Sequence, residues 1–132
     1  MIKTYAKGLK SIEYISDESK GIFKSNEDNT HLRFYCSIKL KNHGHEKLVF
    51  YIKYIPSEHI KKEFACGEYA VAIDSNGKPK EFVLSPNSET VVNAMFEMKQ
   101  KQGIYNGCGT IKNFSIELFN DNQIKVFKYK YD

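Results

Sequence analysis

Arginine is almost missing from this 132-residue chain: nineteen of its twenty basic residues are lysine, and Arg33 stands alone. That leaves little capacity for the planar, bidentate contacts that read guanine edges and clamp phosphates. The lysines are interleaved with 16 acidic residues, so the net charge of +4 reads as a solvated surface with protected sheet edges. A nucleic-acid partner is therefore not expected. Tryptophan is absent, which removes the flat indole platform most often used to hold a sugar ring. No window approaches the roughly 20 consecutive apolar residues of a membrane helix, and the first residues lack an apolar run of signal-peptide length. A soluble protein of the cytoplasm is the expectation. Cysteine is sparse: Cys36, Cys66 and Cys108 cannot all pair within the chain, and a domain of this size needs no staple.

Aromatic and β-branched residues are plentiful. Nine Tyr and nine Phe, with many Ile and Val, suit pleated, half-buried surfaces better than helices. Strict alternation peaks at Leu32, Phe34, Cys36, Ile38 and Leu40, with Arg33, Tyr35, Ser37, Lys39 and Lys41 between them. The segments 48–55, 91–98, 111–119 and 123–129 behave similarly and have strand lengths. Only 56–64 hints at helix, with Ser57 available as a cap and Ile60 and Phe64 on one side. No repeat, linker or low-complexity tract divides the chain, so residues 1–132 are read as one domain. The whole predicts an antiparallel two-sheet β-sandwich of about seven to nine strands.

Turn chemistry gives the expected registers. Asn76-Gly77 carries the residues of a type I′ turn, which would place Ser75 opposite Lys78 and Val71 opposite Phe82. Asn120-Asp121-Asn122 reads as a three-residue loop pairing Glu117 with Lys125 and aligning Leu118 with Ile124 and Ile116 with Val126. The connection 42–46 is open between a hairpin, which would match Leu40 with Leu48, and a crossover between sheets.

The stretch Lys41-Asn42-His43-Gly44, followed by the strand 48–55 and later by Phe82-Val83-Leu84-Ser85-Pro86-Asn87-Ser88-Glu89, resembles a pattern common in bacterial immunoglobulin-like domains. There an Asn-x-Gly loop follows an early strand, and a Leu-x-Pro-Gly type turn precedes a strand of alternating Val and Phe. The likeness spans roughly residues 32–98, and Asn87 stands where that pattern usually has Gly. It implies an immunoglobulin-like sandwich. The segment 68–88 is also distantly similar to intracellular proteinase-inhibitor sandwiches.

Motifs for chemistry are few. His43 and His45 form the only close pair of metal-ligand type, and Ser57-Glu58-His59 are neighbours whose side chains do not face each other. Gly107-Cys108-Gly109 lacks the helix that a phosphate-cradling loop needs, and Cys66 and Cys108 could meet only if the fold brings two turns together. No catalytic residue, metal or cofactor is assigned. The binding candidates are Tyr35, Tyr51, Arg33 and Lys53, which would form one patch on a wet sheet face if the strands 32–40 and 48–55 pair. The expected function is a non-catalytic module that recognises a protein partner by a sheet face or edge. The alternatives are a proteinase inhibitor, a carbohydrate-binding module, or a small-ligand or enzyme site built from distant residues such as His31, His59 and the cysteines.

Overall fold

Leu32, Phe34, Cys36, Ile38 and Leu40 are all buried in the computed structural model, whereas Arg33 and Tyr35 between them are exposed. The alternation in the sequence is thus the two faces of one long strand. The structure describes residues 8–129. In chain order the strands are β1 (Ile12–Tyr14), β2 (Lys20–Ser25), β3 (His31–Asn42) and β4 (Leu48–Ile55). A one-turn helix α1 (Glu58–Glu63) follows, then β5 (Ala65–Cys66), β6 (Ala70–Val71), β7 (Phe82–Leu84) and β8 (Glu89–Gln100). The last are β9 (Cys108–Lys112), β10 (Ser115–Phe119) and β11 (Ile124–Phe127). Ser57 caps α1 as expected, its Oγ accepting the Ile60 N–H at 3.2 Å. Among the described residues no helix is long and apolar enough to cross a membrane.

Two antiparallel sheets face each other. The first runs β5-β8-β3-β2-β9, with β1 beside β3 beyond the end of β2; the second runs β11-β10-β4-β6, with β7 also on β4. Phe34, Ile38, Phe96 and Ile116 are each 0% exposed between them. Tyr54 of the second sheet joins the layers, its ring 4.9 Å from that of Phe34 and 5.7 Å from that of Phe96. Each such ring contributes about 2 kcal/mol through its buried area.

Cys36 lies in this core, and burial pushes its thiol up to about 12. An acid that ionises later in the folded state keeps a proton the unfolded chain has lost, so its contribution is intact below about pH 9 and falls as pH rises toward 12. By pH 10.5 the loss should reach about 2 kcal/mol. Comparing denaturant midpoints of the native chain and Cys36→Ala between neutral pH and pH 10.5 checks this. Parallel pH profiles for the two proteins would contradict it.

Three connections differ from the sequence expectation, each because packing between layers outweighs local pattern, and the one left open, 42–46, proves to be the crossover. β3 and β4 do not pair; residues 43–47 carry the chain from the first sheet to the second. The turn at Asp74 is not type I′: Gly77 alone has positive φ (79°), and its N–H bonds the Asp74 carbonyl. Asp74 Oδ1 accepts from the N–H groups of Asn76 and Lys78. Val71 then pairs with Lys53 and Phe82 with Phe50, both on β4 rather than on each other. In between, the Ala72 N–H bonds Ile52 of the second sheet and the Ile73 N–H bonds Met95 of the first. Two successive residues so close one side of the sandwich.

The segment 111–119 is two strands in different sheets, broken where Asn113 takes a φ of 51°. In the final hairpin Phe119 lies opposite Ile124 and Leu118 opposite Lys125, one residue off the expected register. A slip of one residue exchanges the faces of a strand. Lys125 and Phe127 turn inward, while Ile124 and Val126 are 69% and 51% exposed. Phe127 decides the register by packing its ring edge-on to Tyr14, centroids 5.7 Å apart.

Candidate binding edge and groove

Where β3 gives way to the 43–47 connection, the fold is organised by one buried amide. Asn42, at the end of β3, is 0% exposed. Its Oδ1 accepts from the Gly44 N–H at 2.8 Å and lies 3.1 Å from Ser11 Oγ, whose one proton it shares with the Gly8 carbonyl. Its Nδ2 donates to the carbonyls of Glu46 at 2.9 Å and Ser85 at 3.2 Å. A Cβ at position 44 would come within 2.9 Å of Ser11 Oγ and 3.1 Å of Asn42 Oδ1, so glycine is required there by space. Asn87 adopts a φ of 50°, the left-handed conformation that asparagine tolerates best after glycine, and its N–H bonds the Gly44 carbonyl. The Asn-x-Gly loop and the Leu-x-Pro-Asn turn therefore lock each other.

Beside this loop lies a groove of about 770 Å³ between β1 of the first sheet and β11 of the second. His43 Nε2 sits 2.7 Å from Glu13 Oε1 on one wall, both side chains half exposed. Lys125 crosses the floor, its ammonium donating to the carbonyls of Ile12 at 2.7 Å and Lys10 at 2.9 Å. Partial burial lowers the Lys125 pKa. Since Ser11 and Ile15 face β3 through their bonds to His43 and Lys39, the backbone groups of Ile12 point away from β3. Lys125 is thus a side-chain cap on the outer edge of β1, which carries no further strand among the described residues.

Among the described residues β11 carries no strand on its outer side either. Asn120 donates to the Gln123 carbonyl, so by the alternation of antiparallel ladders Lys125 and Phe127 bond β10 while the backbone of Ile124 and Val126 points outward. An outward backbone edge, flanked by two exposed β-branched side chains and backed by a groove, can take an additional strand. Acid–base chemistry is poorly served here. Ser11, 5% exposed, already donates to the Gly8 carbonyl at 2.8 Å, and no nucleophile stands beside the His43–Glu13 pair.

The four binding candidates are not brought together. Arg33 and Tyr35 lie on the outer face of the first sheet, where Arg33 Nε bonds Glu97 Oε2 at 3.0 Å. Tyr51 and Lys53 lie on the second sheet, Tyr51 stacked on Phe119 at 5.4 Å and Lys53 paired with Glu117 at 3.2 Å. The pairing of their strands that would have joined them is not formed. Cys66 and Cys108 are exposed free thiols on β5 and β9, at opposite edges of the first sheet and about 19 Å apart at the usual strand spacing. They cannot bridge. His31 lies at the start of β3 and His59 on α1, and among the described residues no three His, Cys, Asp or Glu gather as a metal site.

The residues that matter at this edge, Lys125, Ile124 and Val126, were missed because the strand 123–129 was given the opposite face. The signal was present: Gln-Ile-Lys-Val-Phe-Lys can bury either Ile and Val or Lys and Phe, and only the second choice seats an aromatic ring. The fold defines the class, an all-β two-sheet sandwich. Compared with known proteins, the chain has no matching family model, curated protein or solved structure.

Proposed function

We propose that this protein is a non-catalytic recognition module, an immunoglobulin-like sandwich that takes an extended segment of a protein partner onto the outer edge of β11, which pairs with no other strand among the described residues. The observation that carries the reading is the outward backbone of Ile124 and Val126 with both side chains exposed, 69% and 51%, beside an open groove. The charge of Lys125 is turned inward to the carbonyls of the first sheet, and the apolar pair outward, so the outer backbone of β11 is flanked by β-branched side chains. The interlocked Asn42–Gly44 loop and Leu84–Asn87 turn support the immunoglobulin-like assignment, because the two segments that carry the sequence resemblance are in contact.

Val126→Pro tests the reading. It removes an N–H that β10 does not use, so the change in melting temperature should stay within about 4 °C, while strand addition loses a bond and meets the pyrrolidine ring. Affinity capture from native lysate should retain a protein on the native chain that the variant fails to hold. Retention of the same protein by both would move the interaction to another surface.

A further inference from the structure

We propose that the outer face of the first sheet is a recognition surface separate from the β11 edge, and that it takes an acidic amphipathic helix of a protein partner laid across the strands.

The face is built in rows. The registers place Thr110, Ile22, Tyr35 and Met95 side by side on the neighbouring strands β9, β2, β3 and β8. At the usual strand spacing that row is about 14 Å long. Ile22 is 51% and Tyr35 38% exposed. At the β8 end the row opens into a hollow of about 670 Å³, walled by Ile73, Asp74, Ser75 and Lys80 of the 72–80 crossover. The Asp74 carboxylate in that wall already accepts from the Asn76 and Lys78 N–H groups. The row is therefore a line of apolar contact that ends in a recess for one bulky side chain.

The rows on either side carry the charge. About 7 Å away in one direction Lys20 stands directly opposite Lys112, and about 7 Å away in the other Lys24 stands directly opposite Arg33. Like charges so opposed destabilise a sheet. Nevertheless β2, β3 and β9 contain no acidic residue. Of the carboxylates around them, Glu97 is held by Arg33 at 3.0 Å and Glu18 by Lys39 at 3.1 Å, while Glu13 and Glu89 flank Lys41 at the far end of β3. Asp17, Glu27 and Asp28 stand in the turns beyond the ends of β2. Among the described residues no carboxylate lies within ion-pair distance of Lys20, Lys24 or Lys112. The second sheet is unlike this: its Lys53 is matched by Glu117 at 3.2 Å. Near both ends of the described chain the backbone is bonded on that second sheet, the Leu9 N–H to Gln123 Oε1 and the Tyr129 N–H to Ser115 Oγ.

A helix fits this spacing. With its side chains it is about 10–12 Å across, so an apolar stripe set on the Ile22–Tyr35 row brings its two flanks over the two lysine rows. Carboxylates on both flanks then relieve both like-charge pairs. An extended strand presents one line of side chains to a surface and meets one row only. Single-stranded nucleic acid stacks successive bases on aromatic rings, and this row has a single ring between Ile22 and Met95.

The test uses the full chain, labelled with nitrogen-15, and two synthetic peptides of about 18 residues with leucine at the first and fourth positions of each heptad. One carries glutamate and the other lysine at the positions flanking leucine. The amides of Ile22, Tyr35, Met95 and Thr110 report binding at this face. The glutamate peptide should move them and bind about tenfold more tightly than the lysine peptide. Lys112→Glu sets opposite charges across β2 and β9, so it should keep or raise the melting temperature while weakening the glutamate peptide about tenfold. Val126→Pro should bind that peptide as the native chain does. Equal affinity for the two peptides, or unchanged affinity in Lys112→Glu, would overturn the acidic helix. Failure of the glutamate peptide to move these four amides would overturn the proposal, and if an oligothymidylate of about twelve nucleotides moved them instead, the face would be one for nucleic acid.

Discussion

Asn42→Ala is expected to lower the unfolding free energy by about 3 kcal/mol, with a fall in melting temperature of about 10 °C. The amide joins four groups from three separate segments: the Ser11 hydroxyl, the Gly44 N–H and the carbonyls of Glu46 and Ser85. Alanine leaves those groups without their partner in a place from which water is largely excluded, and an orphaned buried group costs about 1–3 kcal/mol. Ser11 retains its bond to the Gly8 carbonyl, and the loop carbonyls regain some solvent, which keeps the total below the plain sum. Asn42→Asp should fare no better, because a carboxylate keeps the accepting half and loses the donating half. Urea denaturation of the three proteins checks this. A loss under about 1 kcal/mol for alanine would mean that the loop and the 84–87 turn are held by something other than this side chain. Since the same loop forms one wall of the groove, the variant should also weaken partner binding.

Phe34→Ala should cost about 4 kcal/mol. The ring is 0% exposed and lies 5.3 Å from Phe23 and 4.9 Å from Tyr54, so its removal opens a cavity where the two sheets meet. Opposed rigid strands on both sides limit collapse into that space, which places the cost toward the upper part of the usual range. Tyr35→Ala, the next residue but on the outer face and 38% exposed, should change stability by no more than about 0.5–1 kcal/mol. Equal losses at 34 and 35 would contradict the inward–outward alternation of β3. If Phe34→Ala leaves too little folded protein to measure, Phe34→Leu gives the same ordering at a smaller magnitude.

The alternation of 32–40 was legible because each of its odd positions is polar or amphipathic and each even one apolar, so only one face could be buried. The strand 124–127 offers no such choice. Both of its faces hold hydrophobic side chains, and Phe127 outcompetes Ile124 and Val126 only because Tyr14, distant in sequence, supplies a ring to pack against. The turn at Asp74 failed differently. Asn76-Gly77 suits a tight hairpin locally, yet Val71 and Phe82 find partners on β4, and the intervening residues are drawn across to Met95. The Asn42–Gly44 and Leu84–Asn87 motifs were visible as residues, and Asn87 could be seen to replace a glycine. That their function is to hold each other required the contact between them.

Composition and periodicity, which act within a few residues, determined by themselves that this chain is an all-β sandwich, which strands fill its middle, and where the α-helical turn after β4 begins. The assignment of strands to sheets, the separation of Tyr35 from Tyr51, and the exposure of Ile124 and Val126 beside a lysine-floored groove were decided by tertiary structure alone. The reason is that local pattern fixes which side chains share a face, whereas the energy that chooses between faces, and between partners across 10 Å of core, comes from residues far away along the chain.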